Sequence, residues 1–275
     1  MASPLKKLLA ALPEQGERMP VVFIGHGSPM NGIENNEFSR EWQRLGRAVP
    51  RPRLVLVVSA HWYTKGTLVT AMDAPRTIHD FGGFPQALFD VQYPAKGDPA
   101  AARDVKSVVN STNVELDHEW GLDHGTWTVV KHMYPGADIP VLQLSIDYSK
   151  PPRFHYELAK ELQALRNKGV LIIGSGNMVH NLRLIKMDPE RGFDHGFDWA
   201  WQMNDVFKKH IGSGDFEMLI NYQKLGKEGQ LAIPTPEHYL PLIYTLGLKD
   251  DKDQTQFFND KAVGGSLTMT SVRFG

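Results

Sequence analysis

The chain has 275 residues, 41% hydrophobic and 22% charged, the proportions of a globular protein rather than a disordered or fibrous one. Thirty Lys and Arg face thirty-one Asp and Glu, a formal net charge of −1, which leaves no basic footprint for nucleic acid or an anionic membrane and points to a small-molecule partner. There is no cysteine, so disulfides, thiolate metal sites and cysteine nucleophiles are excluded.

Taken in chain order, residues 5–12 are apolar but broken by Lys6 and Lys7. They are too short and too charged for a secretory leader and read as an amphipathic helix. No apolar run approaches the roughly 18 residues of a membrane span, and the expectation is a soluble, cytoplasmic protein. Residues 21–24, 54–58, 141–144 and 170–173 are short β-branched and aliphatic runs. Each is apolar throughout, as expected of strands buried on both faces of a mainly parallel sheet. Helical spacing falls between them, at 38–45, 101–109 and 154–165. The last is the clearest, with Phe154, Leu158, Leu162 and Leu165 on one stripe. Residues 249–256 read as a polar surface loop. Residues 266–272 alternate small polar with apolar side chains, as an edge strand would. Strands alternating with helices predict a single α/β domain over 1–275, a sandwich around a mostly parallel or mixed central sheet flanked by helices.

Three of the apolar runs lead into segments rich in chemistry. The first ends in Gly25-His26-Gly27-Ser28-Pro29, the second in Ser59-Ala60-His61-Trp62. The fourth ends in Gly174-Ser175-Gly176-Asn177, with His180 and Asn181 close behind. In open α/β sheets, ligands bind outside the carboxyl ends of the strands, and histidines delivered there are candidate metal ligands. Further on, Thr235 suits a helix N-cap and Pro236 a first helical position, which puts His238 in the first turn. The positive end of the dipole would keep that imidazole neutral, the form a metal requires. Glu237, beside it, is an ordinary first-turn residue. Asp123-His124-Gly125 lies between Trp120 and Trp127. That spacing suits a loop lining an aromatic pocket and a structural turn equally well. Among the other histidines His79 is the one to watch. A serine-hydrolase elbow around Ser175 is excluded, because Ile173 and Asn177 stand where it needs glycines.

Six segments, in order, carry a resemblance. They are Gly25-His26-Gly27-Ser28-Pro29-Met30, Ser59-Ala60-His61-Trp62, His79-Asp80-Phe81-Gly82-Gly83-Phe84-Pro85, Asp123-His124-Gly125, Ser175-Gly176-Asn177 with His180-Asn181-Leu182, and Pro234-Thr235-Pro236-Glu237-His238-Tyr239. Together they resemble the class III extradiol ring-cleavage dioxygenases, in their single-chain branch. The resemblance implies one divalent ion held by His26, His61 and His238, with Glu237 as rival for the third place. It implies Fe(II) for catalysis and Zn(II) as an alternative bound ion, with a catechol and O2 as the small-molecule partners. His180 would be the acid–base residue, and His124 would hydrogen-bond the substrate or oxygen. Trp62, Phe81, Phe84 and Trp127 would be candidates to stack on the ring. The competing readings are a zinc hydrolase or isomerase using the same site, and a ligand-binding protein without turnover. Nothing in the pattern specifies the oligomeric state.

Overall fold

The computed structural model describes residues 18–275, so the helix expected at 5–12 lies outside the described residues. The four apolar runs form β1 (Val21–Gly25), β2 (Leu54–Thr64), β5 (Val141–Asp147) and β6 (Val170–Gly176). With β3 (Thr67–Thr70), β4 (Val114–Asp117), β7 (Thr255–Phe258) and β10 (Ser271–Phe274) they make one eight-stranded sheet, ordered β4-β3-β5-β2-β6-β1-β10-β7. The pairs β5–β2, β2–β6 and β6–β1 are parallel, and the sheet turns antiparallel at β3–β5, β1–β10 and β10–β7. The carboxyl ends of β1, β2 and β6 therefore lie side by side.

The central strands are apolar throughout because each face has its own core. Val21, Phe23, Leu54, Leu56 and Val58 point into one cluster, while Val22, Ile24, Val55 and Val57 point into the other. The first is covered by the helices Pro152–Arg166 and Leu240–Leu248 through Leu158, Leu162, Leu242 and Leu246. The second is covered by the helices Glu37–Ala48 and His124–Met133 through Trp42, Leu45, Trp127 and Val130. Burying each such aliphatic side chain contributes about 1.5–3 kcal/mol. Among the described residues no helix is long and apolar enough to cross a membrane.

Three expectations change. Residues 266–272 are not one edge strand: they split into β9 (Leu267–Thr268), paired with β8 (Ala262–Val263), and β10, which lies inside the sheet between β1 and β7. Alternation marks a face, not an edge, and Val272 and Phe274 are fully buried. Strand β2 continues past Val58, with an irregularity at the point that matters. Val58 pairs with Leu144 and Tyr63 with Ile146, so the stretch of β2 holding His61 bulges out of register and is re-aimed.

The third change is at 249–256, which hides a buried ion pair. Asp253 receives Nη1 and Nη2 of Arg166 at 2.6 and 2.7 Å, and Nη1 of Arg18 at 2.7 Å. Arg166 also donates to the carbonyls of Met19 and Leu248. The network joins the start of the described chain, at Arg18 and Met19, and the segment around Asp253 to the helix Pro152–Arg166. Asp253→Ala would leave Arg166 charged and buried, and should cost roughly 3–5 kcal/mol, read as a lower urea midpoint. A change under about 1 kcal/mol, the value of a surface pair, would show that water reaches the site.

Candidate active site

The structure brings all five singled-out histidines to the carboxyl end of the sheet. His26 follows β1, His61 sits in the irregular stretch of β2, and His180 follows β6. His124 opens the helix His124–Met133, and His238 lies just before the helix Leu240–Leu248. Nε2 of His26 and Nε2 of His61 are 3.1 Å apart. The His238 ring lies 5.4 Å from that of His26 and 5.0 Å from that of His61, centre to centre. His61 and His124 are 3.9 Å apart, and His180 stacks on His238 at 3.5 Å with 8° between planes. Two donor sets emerge, His26 with His61 and His124, and His180 with Glu237 and His238; within each, candidate ligand atoms lie within 4.8 Å of one another. The trio expected from the sequence is thus divided between two adjoining sets.

Outer partners orient these rings. Ser175 Oγ donates to the Gly125 carbonyl at 2.5 Å, so at its 3.0 Å contact with His26 it accepts from Nδ1–H. That leaves His26 Nε2 with a lone pair aimed inward. His238 Nδ1 meets Glu237 Oε1 at 3.3 Å, and Glu237 is itself held by Thr235 Oγ1 at 2.7 Å. Asp80 Oδ2 lies 3.0 Å from His124 Nδ1 and 3.3 Å from His61 Nδ1, while its Oδ1 accepts the His124 backbone N–H at 2.9 Å. The two ring contacts are short but lack the alignment of full hydrogen bonds. Beneath them Asp123 caps the helix through Thr126 N–H and also accepts from Ser59 Oγ and Gln143 Nε2.

Electrostatics keep His26, His61, His180 and His238 neutral. Burial lowers the His26 and His238 pKa values well below the usual 6.5, and the neighbouring histidines lower them further. Burial, then the charge His124 would carry, brings His61 to about 3, against a smaller raising effect of Asp80. Burial brings His180 to about 4, with Glu237 opposing it. For Asp80, burial acts upward, yet the contacts with His124 and His61 outweigh it and hold the carboxyl below its ordinary value. Crowded neutral imidazoles backed by carboxylates form a donor set that fits a divalent ion of the zinc or iron(II) kind.

Several local expectations need correction. The helix near His238 starts at Leu240, so His238 sits in the preceding turn rather than the first helical turn. Thr235 does not cap it, because its hydroxyl is spent on Glu237. The His238 carbonyl instead accepts Asn177 N–H at 2.9 Å. That close approach is possible because Gly176 has no Cβ, which would collide with the same carbonyl. His124 begins a capped helix rather than lining a loop. Trp62 is buried and stacked on Trp120, and Trp127 is buried with Nε1 donating to the Ile78 carbonyl. Both are packing residues. Phe81, half-buried, meets His124 edge-on at 5.5 Å, with Phe84 against it. His79 contacts the Val91 carbonyl at 2.9 Å. Its neighbour Asp80, passed over in the sequence, is the one that reaches the histidines. The only signal for it was an acid inside a segment already marked by His79. Two grooves lie elsewhere, one of about 520 Å³ beside Pro20 and Arg273 and a second beside Leu54 and Val170. Both are at the opposite, amino end of the strands.

Comparison with known proteins agrees with this geometry. Residues 20–275 match the family described as the catalytic LigB subunit of aromatic ring-opening dioxygenase. The chain is 49% identical over 263 residues to a 4,5-DOPA dioxygenase extradiol of Escherichia coli, covering 94% of this chain and 95% of that one. It is 33% identical over 262 residues to a 4,5-DOPA dioxygenase extradiol of Beta vulgaris, covering 92% and 95%. A crystal structure of an uncharacterized protein of Escherichia coli K12 superposes with a TM-score of 0.81 at 44% identity, covering 94% of this chain and all of the other. With the family model matching residues 20–275 and relatives matching nearly the whole length, the chain belongs to the LigB family of aromatic ring-opening dioxygenases.

Proposed function

We propose that the chain is an extradiol dioxygenase that inserts both atoms of O2 into a catechol of the DOPA class at a divalent ion held by His26, His61 and His238. The observation that carries this reading is the convergence of neutral imidazoles at one end of the sheet, in a chain with DOPA-cleaving relatives by name. Glu237 supports His238 through Nδ1, which gives the carboxylate the outer role and leaves His238 Nε2 for the ion. Three protein ligands leave positions open, and the chemistry that a bound Fe(II) supplies there is acidification of the two catechol hydroxyls and electron exchange with oxygen. Zinc fits the same nitrogens but has no redox chemistry, so Fe(II) is the catalytic ion and Zn(II) a resting occupant.

The chain's own residues handle position and protons. His180 enters the reaction neutral, because burial holds its pKa at about 4. It can take a catechol proton, and the imidazolium so formed is a strong acid that returns the proton when the O–O bond breaks. Its stacking on His238 fixes the ring beside the ligand set. His124 hydrogen-bonds the substrate, and Phe81 and Phe84 wall the ring. Both oxygen atoms end in a muconic-semialdehyde-type product, so no external reductant is consumed.

The direct test is oxygen uptake by Fe(II)-reconstituted protein with L-DOPA and a panel of catechols. Stoichiometric uptake with a yellow product is expected. His180→Ala should lower kcat by about 10²–10⁴-fold with metal content retained, whereas His26→Ala should lose the metal itself. Uptake that is absent with every catechol would sink the reading.

Crowding at His61 gives a second expectation. A Cβ on Gly125 would lie 2.6 Å from Ser59 Oγ and 2.9 Å from His61 Cδ2. Gly125→Ala should therefore push His61 off its ion, weakening metal binding in a chelator competition, at a stability cost of about 1–3 kcal/mol. Unchanged metal affinity would place His61 outside the ligand set.

Acid should act on the metal-free protein in one direction. The folded-state pKa values of His26, His61, His180 and His238 lie below the unfolded value of about 6.5. Below that pH the unfolded chain takes up protons that the folded one refuses. Stability is complete above about pH 6.5 and falls toward pH 4 by up to roughly 1.4 kcal/mol per pH unit for each histidine. Urea midpoints at pH 7.5, 6 and 5 should drop in that order, and a flat series would contradict the buried neutral cluster.

A further inference from the structure

We propose that Asp80 is a positioning residue that sets the tautomers of His61 and His124 together, leaving Nε2 of both rings as lone-pair acceptors. The assignment rests on the reading of His61 as a metal ligand. It begins with where the loop is tied. Ile78 N–H donates to the Leu122 carbonyl, Leu122 N–H to the Arg76 carbonyl, and Trp127 Nε1 to the Ile78 carbonyl. These bonds fasten the segment carrying Asp80 to the start of the helix His124–Met133. Asp80 Oδ1 then takes the first N–H of that helix, from His124 itself, at 2.9 Å, where the helix dipole favours a negative charge.

With Oδ1 engaged, Oδ2 is left facing Nδ1 of His124 at 3.0 Å and Nδ1 of His61 at 3.3 Å. A carboxylate oxygen has no hydrogen to give, so at these distances it attracts Nδ1–H and repels an Nδ1 lone pair on each ring, although neither contact is aligned as a full hydrogen bond. One oxygen thereby specifies Nδ1–H on two rings. The consequence for His61 is a lone pair on Nε2, the atom 3.1 Å from His26 Nε2. The consequence for His124 is that it meets the substrate as an acceptor of a catechol O–H, not as a donor. A metal ligand and a substrate-contacting residue are thus oriented by the same side chain.

Asp80→Asn separates this role from simple packing. The asparagine oxygen must stay on the His124 N–H, because turning the amide over would set donor against donor. Its NH2 then faces both Nδ1 atoms and demands lone pairs from them, which moves the ring hydrogens to Nε2. The measurement is a long-range ¹H–¹⁵N correlation of histidine-labelled, Zn(II)-loaded protein, because without an ion the Nε2 atoms of His26 and His61, 3.1 Å apart, must share a hydrogen. Chelator competition for Fe(II) and Zn(II) follows. Wild type should show Nδ1–H at His61 and His124. Asp80→Asn should show Nε2–H at His124, bind metal about 10–100-fold more weakly because His61 can no longer keep Nδ1–H at no cost, and at saturating Fe(II) lose kcat with KM little changed. Nε2–H on either ring in wild type overturns the proposal without any variant. Unchanged tautomers and affinity in a folded Asp80→Asn protein overturn it too. If wild type shows the stated tautomers yet takes up no oxygen with any catechol, the orientation by Asp80 holds and the dioxygenase reading is what fails.

Discussion

Burial of imidazoles crowded against one another governs this molecule. Five rings lie with neighbouring centres between 3.5 and 5.6 Å, close enough that a proton on one raises the cost of a proton on the next. Burial supplies the larger part of the effect and like charge the rest. His26, His61, His180 and His238 are therefore stable as neutral nitrogen donors, or with a cation among them in place of protons. The surrounding acids take their places accordingly. Asp80 and Glu237 touch the outer nitrogens, Ser175 does so as an acceptor, and Nε2 of His26 and of His61 face each other inside.

The sheet explains how five residues so far apart in sequence reach one place. Parallel pairing of β2, β6 and β1 puts three carboxyl ends together, and the antiparallel flanks complete the sheet without adding to that rim. Small residues at the rim bring backbone near side chain. Gly176 admits the His238 carbonyl and Gly125 admits the His61 ring. A methyl group at Gly176 would displace the His238 backbone, and one at Gly125 the His61 ring.

What could be read from the sequence follows from what leaves a local trace. Strands β1, β2, β5 and β6 were legible because burial on two faces demands unbroken apolar runs. Strands β3, β4 and β7 were not, since Thr67–Thr70 and Thr255–Phe258 are short and half polar. The histidines stood out by residue type and by position after strands. Their partners did not: Asp80 meets His124 across 44 positions, and Arg166 meets Asp253 across 87. Pairings of that kind are made by the fold and have no spacing to detect. Ser175 shows the same limit. The sequence excluded it as a nucleophile, and only the geometry reveals it as the support of His26.

The strand order has a consequence for how the chain comes to be folded. β1 is made first, yet both of its neighbours, β6 and β10, come from the second half of the chain. During N-to-C synthesis, Val21-Val22-Phe23-Ile24 emerges with nothing to pair with, and β2 cannot meet it until β6 fills the gap between them. A β-prone, uncharged segment kept waiting in this way is the sort of edge that other chains capture. It is also a pairing of high sequence separation, which folds slowly. The same delay means that no ribosome-bound fragment short of His238 holds all five clustered histidines, so the cluster closes only after nearly the whole chain has been made.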